Sequence, residues 1–178
     1  MARVQRYGVA QRLLHWLTVL LVLALLLCAL GNSLVYEGQP VLAETLVQIH
    51  MSLGATVFLL TLARALLRQL QPPPALPESL SAARAGIARG LHLCLYLLLL
   101  AIPVTGYLKL AWLGFEIRLF DLITLPSLAL DIEASALARR LHWMLAISLT
   151  ALLATHIAAA LQHRHRGEAM IFKRMTFG

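Results

Sequence analysis

Apolar positions in this chain neither alternate nor trace a single helical stripe. They come in four nearly unbroken blocks, at about residues 13–31, 47–67, 91–113 and 141–161. A hydrocarbon core of roughly 30 Å takes about 20 helical residues to cross, and each block meets that length. The polar stretches between them are short. "GNSLVYEGQP" reads as a tight turn region, and the Pro-rich "QPPPALPESLSAARAG" stops the second block, because proline removes a backbone donor and clashes with the preceding turn. Only the connection at about 112–138 is long. Within it "FEIRLFDLITL" predicts a short amphipathic helix lying on the membrane. No repeat of 20–50 residues is visible. Short connections at both faces predict an all-α integral membrane protein, one domain over residues 1–178, folded as an up-and-down antiparallel four-helix transmembrane bundle.

Composition supports this reading and excludes an ordinary soluble domain. The chain of 178 residues is 60% hydrophobic and 13% charged, with mean hydropathy +0.79. Charge then orients it, since cytoplasmic loops retain Lys and Arg. Arg3, Arg6, Arg12, Arg64, Arg68, Arg84, Arg89, Arg164, Arg166, Lys173 and Arg174 all fall on one side. The other side carries Lys109, Arg118, Arg139 and Arg140 against Glu37, Glu44, Glu116, Asp121, Asp131 and Glu133. Both termini of this multi-pass protein are therefore expected in the cytoplasm. The net charge of +7 is distributed as a topology signal and not as one basic face, which argues against a nucleic-acid partner. The first block is read as a span and not as a cleaved signal, because it is long and contains His15. Cys28 and Cys94 fall near opposite ends of their spans and cannot pair with each other. With no CxxC or CxxCH, both are read as small buried apolar residues.

The blocks also contain histidines, and ionisable groups inside a bilayer usually face the bundle interior for a functional reason. His15 and His92 lie near the cytoplasmic starts of spans one and three, His50 and His142 near the outer starts of spans two and four. His156 follows His142 by 14 residues, about 21 Å along the helix and about 40° from the same face. Depth thus matches His142 with His50 and His156 with His15. Each pair offers two nitrogen ligands from facing helices, which suits an iron porphyrin whose ring fills four of six coordination positions. Two b-type haems stacked across the membrane is the resulting expectation. A hydrogen bond to a neighbouring helix is the ordinary role of any single such histidine. A structural zinc site wants four ligands at one depth, and the blocks contain no Asp or Glu for a carboxylate relay or di-iron site.

His92, at the cytoplasmic level, is expected as a propionate or neighbouring-helix partner, with replacement of His15 or His156 as ligand the alternative. His163 and His165 lie past the last block among Arg164 and Arg166, where a solvated basic tail is the plain reading. His163 is two helical turns beyond His156 and retains its face, a position that suits a proton donor or a quinone contact. Arg12, Arg64, Arg68 and Arg89 cluster at the cytoplasmic mouth, where haem propionates and a quinone oxygen want cations; ordinary positive-inside charge is the alternative. Arg139, Arg140 and Lys109 are candidates for the same task at the outer haem.

The chain resembles the prokaryotic cytochrome b561 family through "RLLHW" at 12–16, "QIHMSLG" at 48–54, "LARALLR" at 62–68, "LHLCLYLLLLAIPVTGY" at 91–107, "RLHWMLA" at 140–146 and "THIAAALQH" at 155–163. The resemblance implies a four-span dihaem protein of the inner membrane, with His15, His50, His142 and His156 as axial ligands. It also implies electron transfer between an outer-side donor and the quinone pool. Some members look like superoxide oxidases that reduce ubiquinone near the inner haem. Two functions follow: a superoxide:ubiquinone oxidoreductase, or a quinone-linked carrier or anchor subunit serving a periplasmic redox protein docked on 112–138. The net negative outer side does not itself favour steering of superoxide.

Overall fold

The computed structural model of the chain describes residues 6–72, 74, 81–165 and 173–177, with the side chain of His163 outside the described residues. Four helices run in alternating directions: α1 (Val9–Val35), α2 (Pro40–Leu70), α3 (Ala82–Ala111) and α4 (Ile132–His165). All four are long and apolar enough to cross a membrane. They overrun the apolar blocks because caps, and not hydropathy, set their ends. Pro40 opens α2, where its missing N–H is not needed. The Ser81 hydroxyl accepts from the Arg84 N–H at the start of α3 (3.4 Å), and Asp131 Oδ1 accepts from the Ala134 N–H at the start of α4 (2.9 Å). No Gly or Pro interrupts 132–165, so α4 continues well past its apolar block.

The connection after α3 corrects the expected amphipathic helix. It forms a β-hairpin of β1 (Ile117–Leu119) and β2 (Ile123–Leu125), paired antiparallel with Ile117 opposite Leu125 and Leu119 opposite Ile123. Ile-Arg-Leu and Ile-Thr-Leu each alternate apolar and polar, which is the period of a strand. Phe120 and Asp121 turn the chain with positive φ (51° and 56°), and the Leu122 N–H donates to Leu119 O (3.0 Å). Ile117 is buried at 2% exposure. The hairpin is fastened at both ends. The Phe120 N–H donates to Ser52 Oγ on α2 (2.9 Å), and the Tyr107 hydroxyl on α3 donates to Pro126 O (2.8 Å).

Helix α1 packs on α2 and α3 on α4; α2 and α3 join these halves, and the hairpin lies across both. Among the described residues α4 packs closely on α3 alone. Lipid is as apolar as leucine, so such helices are held by close packing and hydrogen bonds and not by withdrawal from water. The buried layer is Val22, Val57, Leu95, Leu99 and Leu149. Buried Thr18 and Thr61 turn their hydroxyls onto Leu14 O (2.6 Å) and Val57 O (2.7 Å), so neither is left unpaired in hydrocarbon. At the far end from the hairpin, residues 173–177 return to α1. The Tyr7 N–H donates to Arg174 O (3.2 Å) and the Trp16 indole N–H to Met175 O (2.8 Å). The ends of the described chain thus meet at one end of the bundle, as an even number of spans requires.

Candidate functional site

Two turns of helix, seven residues, separate each bundle-axis histidine from the apolar layer: His15 from Val22, His50 from Val57, His92 from Leu99, and both His142 and His156 from Leu149. One face of each helix therefore presents an imidazole above or below a shared apolar plug. The histidines gather at two levels. At the hairpin end, His50 of α2 faces His142 of α4 with ring centroids 6.3 Å apart and planes 67° apart. At the terminal end, His15 of α1 faces His156 of α4 at 6.5 Å and 64°. In both cases the rings meet across a space that their helices do not close by packing.

The hairpin-end pair is oriented by backbone. His50 Nδ1 lies 3.1 Å from Leu25 O, and His142 Nδ1 lies 3.0 Å from Ile102 O. A carbonyl can only accept, so each Nδ1 is the N–H donor and the lone pair is left on Nε2. Thr105 Oγ1 is also within 3.3 Å of His142 Nδ1. Gly106 sits against the same ring: a Cβ there would come within 3.0 Å of His142 Cε1. Sequence reasoning missed Thr105 and Gly106. The available signal was a glycine inside an apolar helix, 14 residues after His92 and so near its face.

The terminal-end level is more crowded. His92 touches His156 edge-on, with centroids 5.4 Å apart, so three imidazoles meet there. Arg64 Nη2 lies 3.2 Å from His15 Nδ1, and its guanidinium stands over the Tyr96 ring at 5.4 Å. Trp16 meets the His15 ring edge-on at 5.6 Å. Arg68 is half-buried one turn beyond Arg64. Arg12 is engaged with the returning segment: its Nη1 donates to Thr176 O (2.9 Å) and its guanidinium lies over Phe177 at 4.8 Å, while its buried Nε has no partner among the described residues. At the other end Arg140 is exposed and lines a shallow surface depression with Arg139, Trp143 and Met144, whose lining includes neither His50 nor His142. The His163 expectation concerns a side chain outside the described residues.

These donor sets fit a porphyrin better than a bare ion. Among the described residues no three His, Cys, Asp or Glu side chains converge on a metal-sized point. Two imidazoles on opposite sides of one ion, with metal–nitrogen bonds of about 2 Å and ring centres roughly 1 Å behind each nitrogen, stand about 6 Å apart. The 6.3 Å and 6.5 Å pairs match that spacing, whereas the 5.4 Å contact of His92 with His156 is short for it.

Comparison with known proteins agrees. The family model of prokaryotic cytochrome b561 matches residues 6–178. The chain is 35% identical to "Cytochrome b561 homolog 2" of Escherichia coli (strain K12), over 96% of this chain and 91% of that protein. It is 27% identical to "Probable superoxide oxidase CybB" of Yersinia pestis, over 90% of each chain. It is 25% identical to "Cytochrome b561 homolog 1" of Escherichia coli (strain K12), again over 90% of each. The family match over nearly the whole chain, four apolar spans and imidazoles gathered on the bundle axis lead to one conclusion: this chain belongs to the prokaryotic cytochrome b561 family, multi-pass inner-membrane electron carriers of the oxidoreductase type that bind haem b.

Proposed function

We propose that the chain holds two haems b in series and moves electrons between a donor on the hairpin side and ubiquinone on the terminal side, with superoxide as the donor. His50 and His142 hold one haem and His15 and His156 the other. The observation that carries this reading is the pair of imidazole spacings, 6.3 Å and 6.5 Å, each bridging helices that do not otherwise pack together. When bound, haem supplies reversible one-electron chemistry tuned by its axial ligands and surroundings. The chain's own residues do the rest. Leu25 O and Ile102 O hold the Nδ1 protons of His50 and His142, fixing tautomer and ring direction. Val22, Val57, Leu95, Leu99 and Leu149 exclude water between the two levels. Arg64 and Arg68 place cations at the terminal-end level, where a propionate or quinone oxygen wants them. His163, two helical turns beyond His156 in the sequence, is our candidate for quinone contact; His92 packs beside His156 as its neighbour. We orient that end toward the cytoplasm, a reading supported by the excess of Arg and Lys toward residues 6 and 174.

Superoxide is supported by the similarity to the Yersinia pestis relative, which is named a probable superoxide oxidase. The acidic residues on the hairpin side, Glu116, Asp121, Asp131 and Glu133, favour a second reading in which a periplasmic redox protein is the donor. Haem content per polypeptide, measured by pyridine haemochrome with a reduced-minus-oxidised spectrum, is expected to give two low-spin b haems; one or none overturns the paired sites. Steady ubiquinone reduction by superoxide with the purified protein alone separates the donors, because the carrier reading requires a second protein.

A further inference from the structure

The hairpin presents a surface that neither haem binding nor quinone chemistry explains. Its outward side chains are large and apolar, with exposures of 85% at Leu122, 61% at Ile123 and 58% at Phe120. Its two anchors fix where that surface lies. Ser52 follows His50 by two residues, about 200° around α2, so the hairpin tip is held on the face turned away from the bundle axis. Tyr107, which binds Pro126 O, is next to Gly106 and hence level with His142. The hairpin therefore lies across α2 and α3, level with the His50–His142 pair, with Phe120, Leu122 and Ile123 exposed on its outer side.

Its backbone says which layer of lipid it meets. Among the described residues the sheet has only two strands, so each leaves an outward edge of unpaired N–H and C=O groups. Hydrocarbon does not tolerate such edges, and the exposed Arg118–Asp121 ion pair (3.7 Å) also needs polar surroundings. An apolar face on a polar-edged element fits the boundary between headgroups and acyl chains. We propose that the hairpin is an interfacial anchor, with Phe120, Leu122 and Ile123 seated in the headgroup–acyl boundary of the leaflet at that end of the bundle.

The test uses the full chain in phosphatidylcholine vesicles, carrying Cys28→Ala and Cys94→Ala and a single Leu122→Cys labelled with an environment-sensitive fluorophore. A matching Glu37→Cys protein, labelled at the exposed α1–α2 turn, reports water, and unchanged helical circular dichroism in both excludes misfolding. The Leu122 label is expected to be quenched several-fold less by iodide than the Glu37 label. It is also expected to be quenched at least two-fold more by lipid nitroxides near the headgroup than by nitroxides deep in the acyl chain. Iodide quenching equal to that at position 37 would overturn the anchor and leave the patch to solvent or a protein partner. Strongest quenching by deep nitroxides would overturn the interfacial placement. Neither readout depends on haem, so the result stands apart from the proposed function.

Discussion

Whether the His142 ring can stand where it does is decided by a missing methyl group at position 106. An alanine there is the better helix former by about 1 kcal/mol, so Gly106→Ala is expected to fold, yet its Cβ would come within 3.0 Å of the ring. The ring must give way by a few tenths of an ångström, and with it the Nδ1 bonds to Ile102 O and Thr105 Oγ1. The expected outcome is a changed low-spin resonance and midpoint potential for one haem and unchanged values for the other; electron paramagnetic resonance of the purified variant checks it. Arg64 makes the complementary case at the terminal end, where its guanidinium touches His15. A unit charge roughly 8 Å from a metal, at an effective dielectric of about 20, is worth about 2 kcal/mol, on the order of 90 mV for a one-electron couple. Removing it disfavours the more negative, reduced state. Arg64→Gln is therefore expected to lower one haem potential by tens of millivolts in a redox titration, and an unmoved titration would show that the guanidinium does not act on that site. In the sequence Arg64 was legible only as one of four cations at the cytoplasmic mouth, beside Arg12, Arg68 and Arg89. Gly106 was not legible, because its contribution is the space it leaves, and only the ring beside it reveals that.

At the scale of elements, the hairpin bridges the two halves of the bundle at the level where those halves supply His50 and His142. Ser52→Ala and Tyr107→Phe remove its anchors without touching either histidine, each losing a hydrogen bond of about 1 kcal/mol net. In the double variant the hairpin-end haem is expected to lose its absorbance at a lower temperature than the terminal-end haem, with broadened resonance lines. Joint melting of both haems would show that the hairpin braces nothing. The four spans were legible because lipid makes one demand on every helix that crosses it, a long apolar block nearly without charge. The hairpin was misread because Phe115, Leu119, Leu122 and Ile123 can be placed on one helical face, and the competing alternation occupies only three residues in each strand. What selects the strands is tertiary: Ile117 is buried by the hairpin's packing on α2 and α3, and Ser52 Oγ receives the Phe120 N–H.

Over the whole molecule, fixed helical rise makes depth readable from sequence, and that is why the histidine pairs were visible before any coordinates. His142 and His156 are 14 residues apart, about 21 Å, with Leu149 and the apolar layer midway between them. Sites so separated, with no shared partner, should respond independently to substitution. His142→Ala is expected to reduce haem from two to one per chain and leave the spectrum of the terminal-end haem intact. His156→Ala should do the reverse. What depth could not rank is His92, which shares the terminal-end level and lies closer to His156 than His15 does. Its 5.4 Å centroid distance is short for two rings sharing one metal, so His92→Ala is expected to retain both haems, with a modest potential change from the altered packing beside His156. The three variants together decide the assignment. Loss of the same haem in His142→Ala and His156→Ala would break the two-level arrangement, and loss of the terminal-end haem in His92→Ala with its retention in His156→Ala would move the ligand from α4 to α3.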